Sequence, residues 1–233
     1  MVYYETFVML FTFLLINAPV FLALNRYIFG SLNIYKKLIF AVVYWVPALF
    51  TQQLMPFLGV IVLLIWHHSK EGNDIGIRDF NPWLTSFRDI AIVAVWAAIF
   101  KILISQLNKL YVYALAVFLK YEAVPQDIVG EFNRGELYYK VMLFILVVIL
   151  APFVEEYIFR YYIYDKVLLP QMPAAAAALI STLLFTLLHY NISGIPTFFG
   201  LGLFCTFMYE KKGYYGAVTT HMVSNLMTAI LLI

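Results

Sequence analysis

The chain predicts an all-α fold, a polytopic transmembrane bundle of about seven to eight helices, and three observations carry that prediction. Of its 233 residues, 64% are hydrophobic and only 12% are charged, where a soluble domain is about one quarter charged. Mean hydropathy is +0.87, too high for a soluble core under a polar skin. The apolar residues fall in long runs without period-two alternation, so the backbone must satisfy its polar groups within helices and not in a β-barrel.

The runs lie at 6–24, 38–66, 89–119, 138–165, 174–190, 196–209 and 214–232. The first lacks a basic n-region and a small-residue cleavage site, and reads as a retained helix and not a signal peptide. The second contains Pro47, Gln52, Gln53 and Pro56 and is either one crossing or a broken hairpin. The third is long for one crossing, and its tail over 107–120 is expected along the interface with Lys109 and Lys120 among the headgroups. The fourth carries LAPFVEEYIFRYYIYD at 150–165, and the fifth starts sharply after Pro173. The sixth and seventh hold Gly200, Gly202, Gly213 and Gly216, which suit close helix approach or tight turns.

The net charge of +2 is scattered, which leaves no basic stripe for nucleic acid; the loop lysines and arginines act as topology determinants. Arg160, Lys166, Lys211 and Lys212 belong to one side and the 191–195 turn is uncharged, so 166–173 and 210–213 are expected in the cytoplasm. The side of the N-terminus depends on how the second run crosses. Cys205 has no second cysteine to pair with and reads as core.

Three polar pieces interrupt the last runs: Glu155, Glu156 and Arg160 in EEYIFR, His189 in FTLLH, and His221 with Asn225 in HMVSN. Four residues apart on a helix, Glu156 and Arg160 share a face and can pair. Glu155 is turned roughly 100° away and is left free for chemistry. Counted from one membrane face, Glu155 lies about 16 Å deep, His189 about 22 Å and His221 about 10 Å, so with Asn225 they can surround one cavity reached from the cytoplasmic side. A glutamate so placed suits a general base that activates water, with a histidine sharing the proton and an Asn amide donating to an oxyanion. Alternatively, Glu155, His189 and His221 could hold a divalent metal such as zinc with a bound water.

At these residues the sequence resembles the CPBP family of intramembrane proteases, the CAAX protease and bacteriocin-processing or ABI family. The resemblance runs from about 148 to 230: Pro152 before the EExxxR motif Glu155–Arg160, FxxxH at Phe185 and His189, a glycine-bearing stretch, and HxxxN at His221 and Asn225. It implies one transmembrane domain over 1–233, with variable N-terminal helices at 1–137 and catalytic core helices at 138–233. It makes Glu155 the water-activating base assisted by His189, His221 and Asn225 the oxyanion or second-site pair, and Glu156 and Arg160 structural support. The family includes metal-dependent and glutamate-type descriptions, so the metal stays open. DIGIRDFNPW at 74–83 resembles a short loop that many members carry before the core helices. The implied activity is an intramembrane endopeptidase acting on a membrane-bound peptide or protein, CAAX-type or bacteriocin-precursor, in a multi-pass protein of a bacterial plasma membrane.

Other readings bear on the same residues. The carboxylates could form the relay of a transporter, or the Glu155, Glu156 and Arg160 cluster could glue helices in a non-catalytic scaffold. Phe185 reads as packing, and His67 and His68, beside Trp66, read as interfacial. No HExxH occurs, Asp165 lacks a companion Gly-x-Gly-Asp, and Asn191 stands where a rhomboid-type Ser193 motif needs glycine.

Overall fold

Because hydrocarbon offers a peptide group no outside partner, each apolar run closes its own hydrogen bonds. The computed structural model describes residues 2–51, 54–70, 86–122 and 136–230, and among these there are helices and turns but no strand. The elements are α1 (Val2–Tyr27), α2 (Ile34–Thr51), α3 (Leu54–Lys70), α4 (Phe87–Leu119), α5 (Leu137–Leu168), α6 (Ala174–Leu187) and α7 (Ile195–Ile230). Helices α1, α2, α4, α5 and α7 are long and apolar enough to cross a bilayer, while α3 and α6 are shorter apolar helices. The chain is an integral, multi-pass membrane protein of all-α architecture.

The second apolar run is two helices, α2 and α3. Pro47 sits inside α2, and the Thr51 hydroxyl donates to the Pro47 carbonyl at 2.8 Å within the same helix. Gln52 and Gln53, which suggested the break, lie outside the described residues, as does the 74–83 loop. Helix α4 opens on a side-chain N-cap: the Asp89 amide donates to Ser86 Oγ at 3.2 Å, and the Ser86 hydroxyl donates to Asp89 Oδ2 at 2.9 Å. Its tail does not break away to lie on the interface. It continues as one helix to Leu119, about 50 Å of rise against a hydrocarbon core of about 30 Å.

Helix α5 carries the EExxxR motif and is not uniform. Its turns widen to π geometry over Ile145–Leu150 and again over Tyr157–Leu168, with ordinary α-turns at Ala151–Glu156 between them. Pro152 has no N–H to donate, and its ring crowds the carbonyl of Val148, so a wider turn just before it relieves the clash. The Val147 carbonyl in that turn accepts from Asn225 Nδ2 at 2.9 Å.

The last two apolar runs form one element bent at Gly213, whose φ of 71° and ψ of −169° only glycine adopts readily. Twelve residues of straight helix span about 18 Å, yet Cys205 Sγ lies 3.8 Å from the Ala217 carbonyl oxygen. The chain therefore doubles back, and α7 is a hairpin with limbs at 195–212 and 214–230.

Polar contacts gather the helix ends at that bend. Tyr209 donates to Asp165 at 2.9 Å, Tyr164 donates to Glu210, Lys212 pairs with Asp89 at 2.6 Å, and Tyr215 meets His68 at 3.1 Å. Tyr161 and Tyr27 join by their hydroxyls at 2.8 Å. The C-terminal ends of α1, α3 and α5, the start of α4 and the α7 bend thus share one end of the bundle, with Arg26, Arg88, Lys166, Lys211 and Lys212. His67 is not an interfacial side chain: it is buried among Tyr27, Trp66, Tyr157 and Tyr161, with Nε2 3.1 Å from the Tyr157 hydroxyl. His68 is exposed, as its reading at the interface anticipates.

Candidate active site

The α-turns at Ala151–Glu156 aim two consecutive carboxylates in different directions. Glu156 is wholly buried. Its Oε2 faces Arg160 Nε at 3.0 Å and its Oε1 lies 2.7 Å from His221 Nδ1. Beside a guanidinium Glu156 is a carboxylate and can only accept, so the His221 Nδ1–H donates. The Arg160 Nη2 donates to the Gly202 carbonyl at 3.2 Å, and its guanidinium stands 4.7 Å from the Phe185 ring centroid. A Cβ at position 202 would meet Thr182 Cγ2 at 2.7 Å, so glycine is what lets α6 and α7 approach this closely.

Glu155 points the other way. Its side chain keeps 28% exposure and lines a cavity of about 430 Å³ whose other walls are Ile16, Thr51, Leu54, Phe57, Leu146, Leu150, Ala151, Val154 and Ile158. A glutamate in an apolar intramembrane cavity is costly to maintain, which makes Glu155 a candidate functional position. His221 links the two acids: its Nε2 lies 3.8 Å from Glu155 Oε2, too long for a direct hydrogen bond.

His189 ends α6. Its Nδ1 donates to the Phe185 carbonyl at 2.9 Å, because a carbonyl can only accept, and its ring stacks on Phe198 at 3.9 Å. That assigns the free lone pair to Nε2. Phe185 is packed as its spacing suggests, but it is also shared: its ring touches His189 at 4.8 Å and His221 at 5.7 Å, besides Arg160. Asn225 uses an amide hydrogen on the widened turn of α5.

The cavity lies in the half of the bundle away from the basic ends. Thr51 and Leu54, at the α2–α3 junction, and Leu146 and Leu150, in the first half of α5, belong to the half of the bundle away from the basic ends. At the basic end the rings of Tyr27, His67, Tyr157 and Tyr161 fill the space between α1, α3 and α5. A second cavity, about 590 Å³, runs along α1 past Thr6, Phe13 and Asn17 and shares the Ile16 wall.

The expected metal set of Glu155, His189 and His221 is not gathered into one ligand group among the described residues. The group whose ligand atoms come within 4.8 Å of one another is Glu156, Cys205 and His221. Sequence reading treats Cys205 as core because nothing in the primary structure shows that the Gly213 bend brings it beside EExxxR. All three residues are buried, whereas a catalytic metal keeps an open position for water or substrate. The donor set can hold a cation, but it does not fit a catalytic one.

The described helices thus bury an acid–histidine cluster between them and leave one acid facing an apolar cavity. Residues 138–227, less than half of the chain, match the family described as "Type II CAAX prenyl endopeptidase Rce1-like", a family within the wider CPBP group. The matched segment runs from the start of α5 to just past Asn225 and contains every residue of the cluster. No curated protein and no solved structure matches the chain.

Proposed function

We propose that this protein is an intramembrane endopeptidase that hydrolyses a peptide bond in a membrane-associated peptide or protein, with Glu155 as the water-activating base. The observation that carries this reading is the division of labour between adjacent acids: Glu156 is neutralised by Arg160 and His221, while Glu155 alone faces the cavity. A water held at Glu155 loses a proton to the carboxylate as its oxygen adds to the peptide carbonyl carbon. The 3.8 Å separation between Glu155 and His221 Nε2 leaves that lone pair able to share the proton and return it to the departing amine. His189 assists through its own Nε2. The remaining amide hydrogen of Asn225 is available to the developing oxyanion. Glu156 and Arg160 hold His221 in its tautomer and orientation.

The apolar walls suit a segment presented from the lipid, such as a lipidated C-terminus or a hydrophobic peptide precursor. CAAX-type and bacteriocin-precursor substrates both have that character. The Ile-, Tyr- and Phe-rich composition suits a bacterial plasma membrane as the setting.

The test is cleavage of a panel of fluorogenic membrane peptides by purified protein in detergent, wild type against Glu155→Gln, each with and without chelator. We expect cleavage to fall by about 10²–10⁴-fold in the variant, the range for loss of a general base, and to persist in chelator. Wild-type rates from Glu155→Gln would remove the base assignment, and loss of activity on chelation would replace it with a metal-dependent mechanism.

A further inference from the structure

The hydrolytic reading uses Glu156 and His221 but leaves Cys205 without a task, although the three ligand atoms lie within 4.8 Å of one another. Cys205 is wholly buried and hangs from the first limb of α7, His221 comes from the second limb, and Glu156 comes from α5. Three separate segments thus bring a thiol, an imidazole and a carboxylate within 4.8 Å of one another. Carboxylate, imidazole and thiolate are all zinc ligands, and the thiolate selects thiophilic ions over magnesium or calcium. We propose that Glu156, Cys205 and His221 form a buried, inhibitory binding site for a thiophilic divalent cation, with Zn²⁺ as the probe.

The geometry accommodates such an ion with small adjustments. Ligand atoms around tetrahedral zinc stand roughly 3.3–3.6 Å apart, as its bond lengths require. The 2.7 Å contact between Glu156 and His221 must widen, and Cys205 must turn inward. Glu156 binds through Oε1, while Oε2 keeps Arg160 as an outer partner. The nearest opening to the site is the cavity lined by Glu155, whose Oε2 lies 3.8 Å from His221 Nε2.

Binding also explains inhibition. The thiol proton of Cys205 is released to solvent, so the sulfur ligates as thiolate. The Nδ1 proton of His221 is lost from that nitrogen, which becomes a ligand, and is carried on Nε2. Glu156 stays a carboxylate. One proton leaves per ion bound, and the Nε2 lone pair that faced Glu155 becomes an N–H. The histidine can then no longer accept the proton that hydrolysis generates. This inhibitory consequence rests on the hydrolytic reading; the binding does not.

The experiment has a binding arm and an activity arm. Metal-free protein in detergent is titrated with Zn²⁺ by equilibrium dialysis, and with Co²⁺ for the near-ultraviolet thiolate-to-cobalt band, comparing wild type, Cys205→Ser and Cys205→Ala. Size-exclusion profiles establish that the variants are folded. We expect one ion per wild-type chain with a thiolate band, no band in either cysteine variant, and at least a tenfold weaker affinity for Zn²⁺. In the activity arm, zinc inhibits wild-type cleavage and the cysteine variants need at least ten times more. Binding without a thiolate band, or equal affinity in the variants, overturns the site. Equal inhibition of wild type and variants overturns its inhibitory role. A thiolate band in a protein that cleaves no peptide keeps the site and counts against the hydrolytic reading instead.

Discussion

Glu155 and Glu156 are neighbours in sequence with opposite environments, one open to the cavity and one wholly enclosed. The pairing of Glu156 with Arg160 was legible in the sequence, because a spacing of four puts two side chains on one helix face and a buried acid needs a cation. The bond from His221 to Glu156 was not legible, since the two lie 65 positions apart and meet only when α7 packs on α5. Removing one partner of a buried pair strands the other charge at a cost of about 3–5 kcal/mol. Arg160→Met should therefore lower the thermal unfolding midpoint sharply in detergent, and Glu156→Gln/Arg160→Met should regain part of the loss. A single variant melting like wild type would show that the pair contributes nothing to stability. Asn225 likewise does more than its HxxxN position suggests. Its bond to the Val147 carbonyl predicts that Asn225→Ala loses about 1 kcal/mol, the net contribution of a part-buried hydrogen bond, measured by the same melting experiment.

Among the elements, the hairpin in α7 decides most. Its two limbs were legible as two apolar runs separated by Lys211, Lys212 and Gly213, but their close antiparallel packing was not. Backbone at φ 71° and ψ −169° strains any residue with a Cβ by about 1–3 kcal/mol. Gly213→Ala should keep its helical circular dichroism while destabilising the hairpin, lowering the melting midpoint and cleavage together; an unchanged midpoint would show that the bend tolerates a side chain. The π-turns of α5 were hidden for a related reason. Pro152 announces a disturbed helix but does not say whether it bends, breaks or widens, and here the amide of Asn225 on α7 meets the widened turn.

Over the whole molecule, the order of the helices sets every end. With Arg26, Arg88, Lys166, Lys211 and Lys212 at one end and the uncharged 191–195 turn at the other, the positive-inside tendency puts the former in the cytoplasm and Val2 and Ile230 opposite. In a Cys205→Ser background, Ile192→Cys should react with an impermeant maleimide in intact cells, and Lys36→Cys only after permeabilisation. The reverse pattern would invert the orientation, and labelling of both from outside would contradict the helix order. This orientation also turns the cavity away from the cytoplasm, the reverse of the direction expected from depth alone. Depth along a helix follows from a rise per residue, so the sequence could place Glu155, His189, His221 and Asn225 at neighbouring levels. Membrane embedding and helical class are likewise written in composition and spacing, because lipid excludes other solutions. Rotation about the helix axes is not written there. It depends on how side chains from distant segments interlock, and that packing alone sent Glu155 to the cavity, enclosed Glu156, brought Cys205 to His221 and closed the basic end with aromatic rings.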